Sequence, residues 1–186
     1  YLLEHFKEGD PVELSFSTVL DWENIEMAVT GSAILVKDGQ IPEKFSYEIS
    51  RVHPRTAAGS SKSGKELLLV TVDGRQAASK GMTQRELANL MLSLGAYNAI
   101  NLDGGGSTSM VSRIPATNNL KVVNTPSDGA LRSISTAIGV FSVAPPSSLE
   151  GMIIESVPNV FVNTSIQLSV KGYDKYFNPI SVDQSS

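Results

Sequence analysis

The strongest periodic signal lies mid-chain. Leu87, Leu90, Met91 and Leu94 recur at i, i+3, i+4 and i+7, the apolar stripe of an amphipathic helix. Thr83-Gln84-Arg85-Glu86 ahead of it has the spacing of a capping box, and Gly95 sits where a helix end takes a left-handed residue. Two apolar runs flank this helix. Leu67 to Val72 is apolar on both faces and predicts a central buried strand; Tyr97 to Leu102 predicts a second. Upstream, Val12, Leu14 and Phe16 alternate with polar residues as in a half-buried strand. Ala33 to Val36 is a further strand, followed by a hairpin turn at Asp38-Gly39. Downstream, Lys121 to Val123 predicts a short strand and Ile134 to Val143 a buried one. Ala144-Pro145-Pro146-Ser147-Ser148 has the composition of a linker. Beyond it Met152–Ile154, Val160–Val162 and Gln167–Lys171 are strand-like, with a turn over Asp174 to Pro179.

These elements predict an α+β fold: a mixed β-sheet with a βαβ unit and few helices, followed by the start of an Ig-like β-sandwich. The expected division is residues 1–143, a linker at 144–150, and 151–186. If the strands at 67–72 and 97–102 are parallel neighbours, their carboxyl ends share one sheet edge. Asp73 and Asp103 would then project from that edge, where open sheets bind ligands.

Composition narrows the function. Across 186 residues the charged fraction is 18% and the net charge −4, with Lys and Arg scattered, so nucleic acid is not an expected partner. The absence of cysteine excludes disulfides, thiolate zinc sites and cysteine nucleophiles. No apolar run reaches the length of a membrane span. Abundant Ser, Thr and Gly suit an extracellular or cell-envelope protein of bacterial type.

The candidate chemistry centres on Asn101-Leu102-Asp103-Gly104-Gly105-Gly106-Ser107-Thr108-Ser109. Ordering three successive glycines costs backbone entropy, which points to positive φ angles or a close approach to another group, including an anion held by amide N–H groups. A plain glycine turn with a solvated Asp is the alternative. The Gly-Lys-Ser/Thr ending of a nucleotide-binding loop is missing, and Ser107 lacks the second flanking glycine of a nucleophile elbow. Asp73, Asp103 and His53 could chemically ligate a divalent metal, but no ligand spacing supports one and the sequence shows no required cofactor. His53 precedes Pro54 and so belongs to an extended loop, where a solvated histidine is equally natural.

Four blocks occur in a telling order: His53-Pro54-Arg55-Thr56-Ala57, Val72-Asp73-Gly74-Arg75, Gly81-Met82-Thr83 with its helix, and Asn101 to Thr108. Over roughly residues 30–143 the chain resembles the phosphodiester glycosidase family. The resemblance implies hydrolysis of a sugar-1-phosphodiester of the N-acetylglucosamine type, releasing the sugar from a glycan or sugar-phosphate substrate. It implies Asp103, Asp73 and His53 as catalytic candidates. Arg55, Arg75, Asn101, Gly104, Gly105, Gly106, Ser107, Thr108 and Arg132 are the substrate-binding candidates. A later block, Asn124-Thr125-Pro126-Ser127 with Arg132, also matches, but Leu131 stands where an acid is expected and Thr136 where Asn is expected. An Asn-Gly/Ala-Gly-Phe-Phe block expected near the start is missing, so site residues are expected in a preceding segment that pairs with this one. These departures keep a non-catalytic carbohydrate- or phosphoglycan-binding module as the alternative.

Overall fold

The computed structural model describes residues 5–13, 15, 22–154, 159 and 161–182. The alternation at Leu14 and Phe16, and Val160 of the later run, lie outside the described residues. The described part is mostly sheet with one α-helix, an α+β arrangement.

Four strands form the principal sheet: β1 (Ala33–Val36), β2 (Arg55–Ser60), β3 (Leu67–Val72) and β4 (Asn98–Asn101). Their order is β1-β4-β2-β3, and each neighbouring pair is antiparallel. This corrects the mixed sheet and the βαβ unit expected from the sequence. Strands β3 and β4 run in the same direction, but β2 lies between them and hydrogen-bonds to both. Strand β3 is also an edge strand rather than a central one, with Leu67 55% exposed. An apolar run reports side-chain chemistry, not the neighbours that cover it. The two carboxyl ends still share one edge, because Val72 pairs with Arg55 and Asn101 with Ala57.

Helix α1 (Gln84–Ser93) covers one face of the sheet. The capping box forms as the sequence predicts: the Thr83 hydroxyl accepts from the Glu86 N–H, and the Glu86 carboxylate accepts from the Thr83 N–H at 2.7 Å. Those bonds hold the Glu86 carboxyl below its ordinary value. Leu87, Ala88 and Met91 pack on Ala33, Leu35, Ala57 and Ala99 in a wholly apolar core. The Asp38-Gly39 turn closes as expected, with Lys37 and Gln40 exchanging both backbone bonds.

Short strands β5 (Val111–Arg113) and β6 (Leu120–Val122) form a hairpin beyond the glycine loop. The buried strand expected over Ile134–Val143 does not form. Val140, Phe141 and Val143 are 70%, 84% and 96% exposed, and no sheet edge pairs with them among the described residues. Strands β7 (Leu149–Ile154), β8 (Val170–Asp174) and β9 (Pro179–Ile180) make a separate antiparallel sheet. Its closing turn is organised by Asp174, which is fully buried. Burial alone would raise this carboxyl. The N–H groups of Ser147, Asn178 and Tyr176, with the Asn178 amide, outweigh that and hold it at about 2 against an ordinary 3.8.

Candidate active site

The site residues collect where β3 and β4 leave the principal sheet. The chain after β4 turns through a short 3-10 segment, Gly105–Ser107, pinned to the strand before it: the Leu102 N–H donates to the Thr56 carbonyl and the Gly105 N–H to the Pro54 carbonyl. The N–H groups of Ser107 and Thr108 donate back to Gly104 and Gly105, and that of Gly104 to the Asp103 carboxylate at 2.9 Å. These four loop amides are therefore engaged within the protein and do not form the open anion cradle suggested by the glycine run.

The glycines serve instead as landing points for two arginines. A Cβ on Gly105 would stand 3.2 Å from the Arg75 guanidinium, and one on Gly106 would collide with the Arg132 guanidinium and the Asp128 carboxylate. Arg75 also meets His53, with Nη2 3.3 Å from Nδ1. A guanidinium only donates, so in this hydrogen bond Nδ1 is the acceptor. Arg132 donates through Nε and Nη2 to one oxygen of Asp128, at 3.0 and 2.5 Å. Asp128 lies three positions before position 131, where the sequence resemblance predicts an acid and the chain has Leu. Leu131 is exposed, and the acid that meets Arg132 comes from four residues upstream, across the turn at Pro126–Gly129.

The two aspartates at the strand exits differ sharply. Asp103 is exposed beside the glycine loop. Both carboxylate oxygens of Asp73 are occupied, one by the Asn124 amide and the other by the Thr125 N–H, each at 2.9 Å. The same Asn124 amide donates to the Thr108 carbonyl, and its oxygen accepts from the Met110 N–H. Asp73 thus ties the later loop to the end of β3.

Three expected substrate contacts are turned inward. Arg55 is 2% exposed and donates to the carbonyls of Met82, Ile49 and Arg51, and burial lowers its guanidinium from the ordinary value. Asn101 is 2% exposed and bonds Ser32; Thr108 is 1% exposed and bonds Thr56. Buried side chains offer no surface to a ligand, so these three brace the site from beneath. Exposed or half-buried at its mouth are His53, Arg75, Asp103, Gly105, Ser107, Asp128 and Arg132. Among the described residues no three His, Asp or Glu gather as a metal site.

The family model of phosphodiester glycosidases matches residues 1–141. The chain belongs to the phosphodiester glycosidase family. It is 40% identical over 82 residues to the prophage-derived protein YomE of Bacillus subtilis, covering 44% of this chain and 12% of that one. It is 32% identical over 114 residues to bovine N-acetylglucosamine-1-phosphodiester alpha-N-acetylglucosaminidase, covering 53% of this chain and 21% of that enzyme. Among solved structures it is similar to the auto-inhibited catalytic domain of the zebrafish enzyme, at 26% identity and a TM-score of 0.40, covering 53% of this chain and 34% of that one. The chain thus spans about a fifth or less of the length of these two sequence relatives.

Proposed function

We propose that this chain hydrolyses a sugar-1-phosphodiester of the N-acetylglucosamine type, in a glycan of the bacterial envelope or exterior, and releases the sugar. The observation that carries the reading is the placement of two guanidinium groups on successive glycines, Arg75 on Gly105 and Arg132 on Gly106, with the exposed Asp103 two residues before the first of these glycines in the same loop. Guanidinium forks match phosphate oxygens. Cleavage of the bond between the anomeric carbon and the phosphate oxygen sends the electron pair onto phosphate, while water supplies hydroxide to carbon and a proton to a base. The second ionisation of a phosphomonoester lies near pH ~6, so this leaving group departs as an anion stabilised by cations and does not need full protonation. Such chemistry asks chiefly for one carboxylate near the anomeric carbon, as base or nucleophile, and Asp103 takes that part. Asp128 holds Arg132 over Gly106, Asp73 fixes the loop that carries both, and His53 orients Arg75. Ser107 offers a hydroxyl to a phosphate oxygen.

The domain division belongs to this reading: residues 1–143 carry the site, 144–150 form a linker and 151–186 begin a second, β domain. The three-stranded sheet β7–β8–β9 supplies one layer of an Ig-like sandwich. The exposed Leu131 favours a second reading, a phosphoglycan-binding module that retains the arginine pair without turnover.

Incubation with an N-acetylglucosamine-1-phosphodiester, followed by assay of free sugar, tests the proposal. Asp103→Asn should lower kcat by about 10²-fold or more, the scale of a positioned acid–base group. Unchanged turnover in that variant would overturn the assignment. Retained glycan binding without turnover in the unaltered protein would establish the second reading.

A further inference from the structure

Outside the arginine-lined flank lies a second compartment. A cleft of about 380 Å³ opens beside the exit of β4, lined by Thr30, Gly31, Ser32, Tyr47, Ile49 and the Leu102–Gly104 segment. It meets the arginine flank at Asp103 and Gly104, for the next two glycines already face Arg75 and Arg132. Resting on the hydrolase reading above, we propose that this cleft is the subsite for a single pyranose ring, with Tyr47 as its aromatic platform.

Both walls are held from beneath by buried amide side chains. On one side Asn101 Nδ2 donates to the Ser32 hydroxyl at 2.7 Å, and the Ser32 N–H donates to the Asn101 carbonyl at 2.9 Å. Gly31 lies so close to the Asn101 carbonyl and the Ile100 side chain that a Cβ there would collide with both. On the other side Gln84, at the start of α1 and 2% exposed, donates to the Tyr47 carbonyl at 3.0 Å and accepts from the Ile49 N–H at 2.8 Å. Its amide thus acts as a strand partner for residues 47–49. Arg55 adds a bond to the Ile49 carbonyl. On this fixed wall the Tyr47 side chain stays 62% exposed.

The lining chemistry selects the ligand. Thr30, Ser32 and Tyr47 offer hydroxyls, Tyr47 and Ile49 offer apolar surface, and Asp103 is the one charged group among the described residues that line it. Among the described residues no cation lines the cleft, so the phosphate belongs on the arginine flank. A neutral ring with hydroxyls on its rim and C–H groups on its faces uses every one of these groups. The volume is near the lower end of ligand pockets, about 300–1,000 Å³, which suits one monosaccharide. With sugar on one side of Asp103 and phosphate on the other, the bond between them lies at that carboxylate.

Two measurements on the intact protein test this. Tyr47→Ala should raise KM for an N-acetylglucosamine-1-phosphodiester about tenfold with kcat nearly kept, the mark of lost uniform binding. Inhibition by inorganic phosphate should stay unchanged, and Tyr47→Trp should keep KM near that of the unaltered protein. Separately, free N-acetylglucosamine should shift the backbone amide resonances of Gly31 and Ser32. An unchanged KM in Tyr47→Ala, or a parallel loss of phosphate inhibition, overturns the subsite while the hydrolase reading stands. Sugar-dependent shifts at Gly31 without any turnover support the subsite while the hydrolase reading falls. Absence of those shifts at saturating sugar overturns the subsite.

Discussion

The two larger sheets of this protein are closed by opposite means. The four-stranded sheet is sealed by an apolar core between its inner face and α1, and among the described residues none of its carboxylates is buried. The sheet of β7, β8 and β9 is closed by one buried carboxylate, Asp174, which gathers four donors around a turn, while Met152 and Ile154 of β7 stay largely exposed. Apolar packing is insensitive to pH, whereas a carboxylate hub works only while ionised. The candidate site grows from the first sheet. Its two strand exits are therefore placed by packing, and carboxylates enter only beyond them, where Asp73 holds the later loop and Asp128 holds Arg132.

The largest break in this contrast should come from Leu87→Ala, which removes a fully buried side chain under the sheet. A cost of about 2–5 kcal/mol is expected, read from denaturant unfolding. The glycine loop should lose amide-exchange protection in parallel, whereas Val170 to Asp174 should keep theirs. Acid should give the converse result. The Asp174 carboxyl is depressed when folded, so its contribution is fully present above about 3.8 and is lost as the pH falls through about 2. Amide exchange between those values should show β8 opening before β4, and simultaneous opening would remove the distinction. The smallest effect should come from Thr83→Ala, which deletes one half of the capping box. A loss of about 1 kcal/mol is expected for the first sheet alone, measurable as a lower midpoint with an unchanged m value.

Local chemistry was legible from the sequence, and neighbours were not. The capping box, the Asp38-Gly39 turn and the Leu87 and Met91 positions of the stripe depend on residues a few positions apart and form as the sequence predicts, whereas Leu94 of the same stripe is 48% exposed. The glycine loop at a strand exit was legible for the same reason. The edge position of β3 was not, because an apolar run carries no record of what packs on it. The segment Ile134–Val143 has the composition of a strand, but a strand also needs an edge to pair with. Arg55 reads as an anion binder until the carbonyls of Ile49, Arg51 and Met82 converge on it. Asp128 was hidden by an expectation tied to position 131, although its spacing of four from Arg132 is visible in the chain. Tyr47 carries no motif. The buried Gln84 amide, far along the sequence, and the Arg55 guanidinium fix the segment that presents it.

Asn124 joins three stretches through one amide: the Asp73 carboxylate, the Thr108 carbonyl and the Met110 N–H. The β3 exit, the chain just beyond the glycine loop and the approach to Asp128 consequently share one junction, so one side chain sets the spacing between the Arg75 flank and the Arg132 flank.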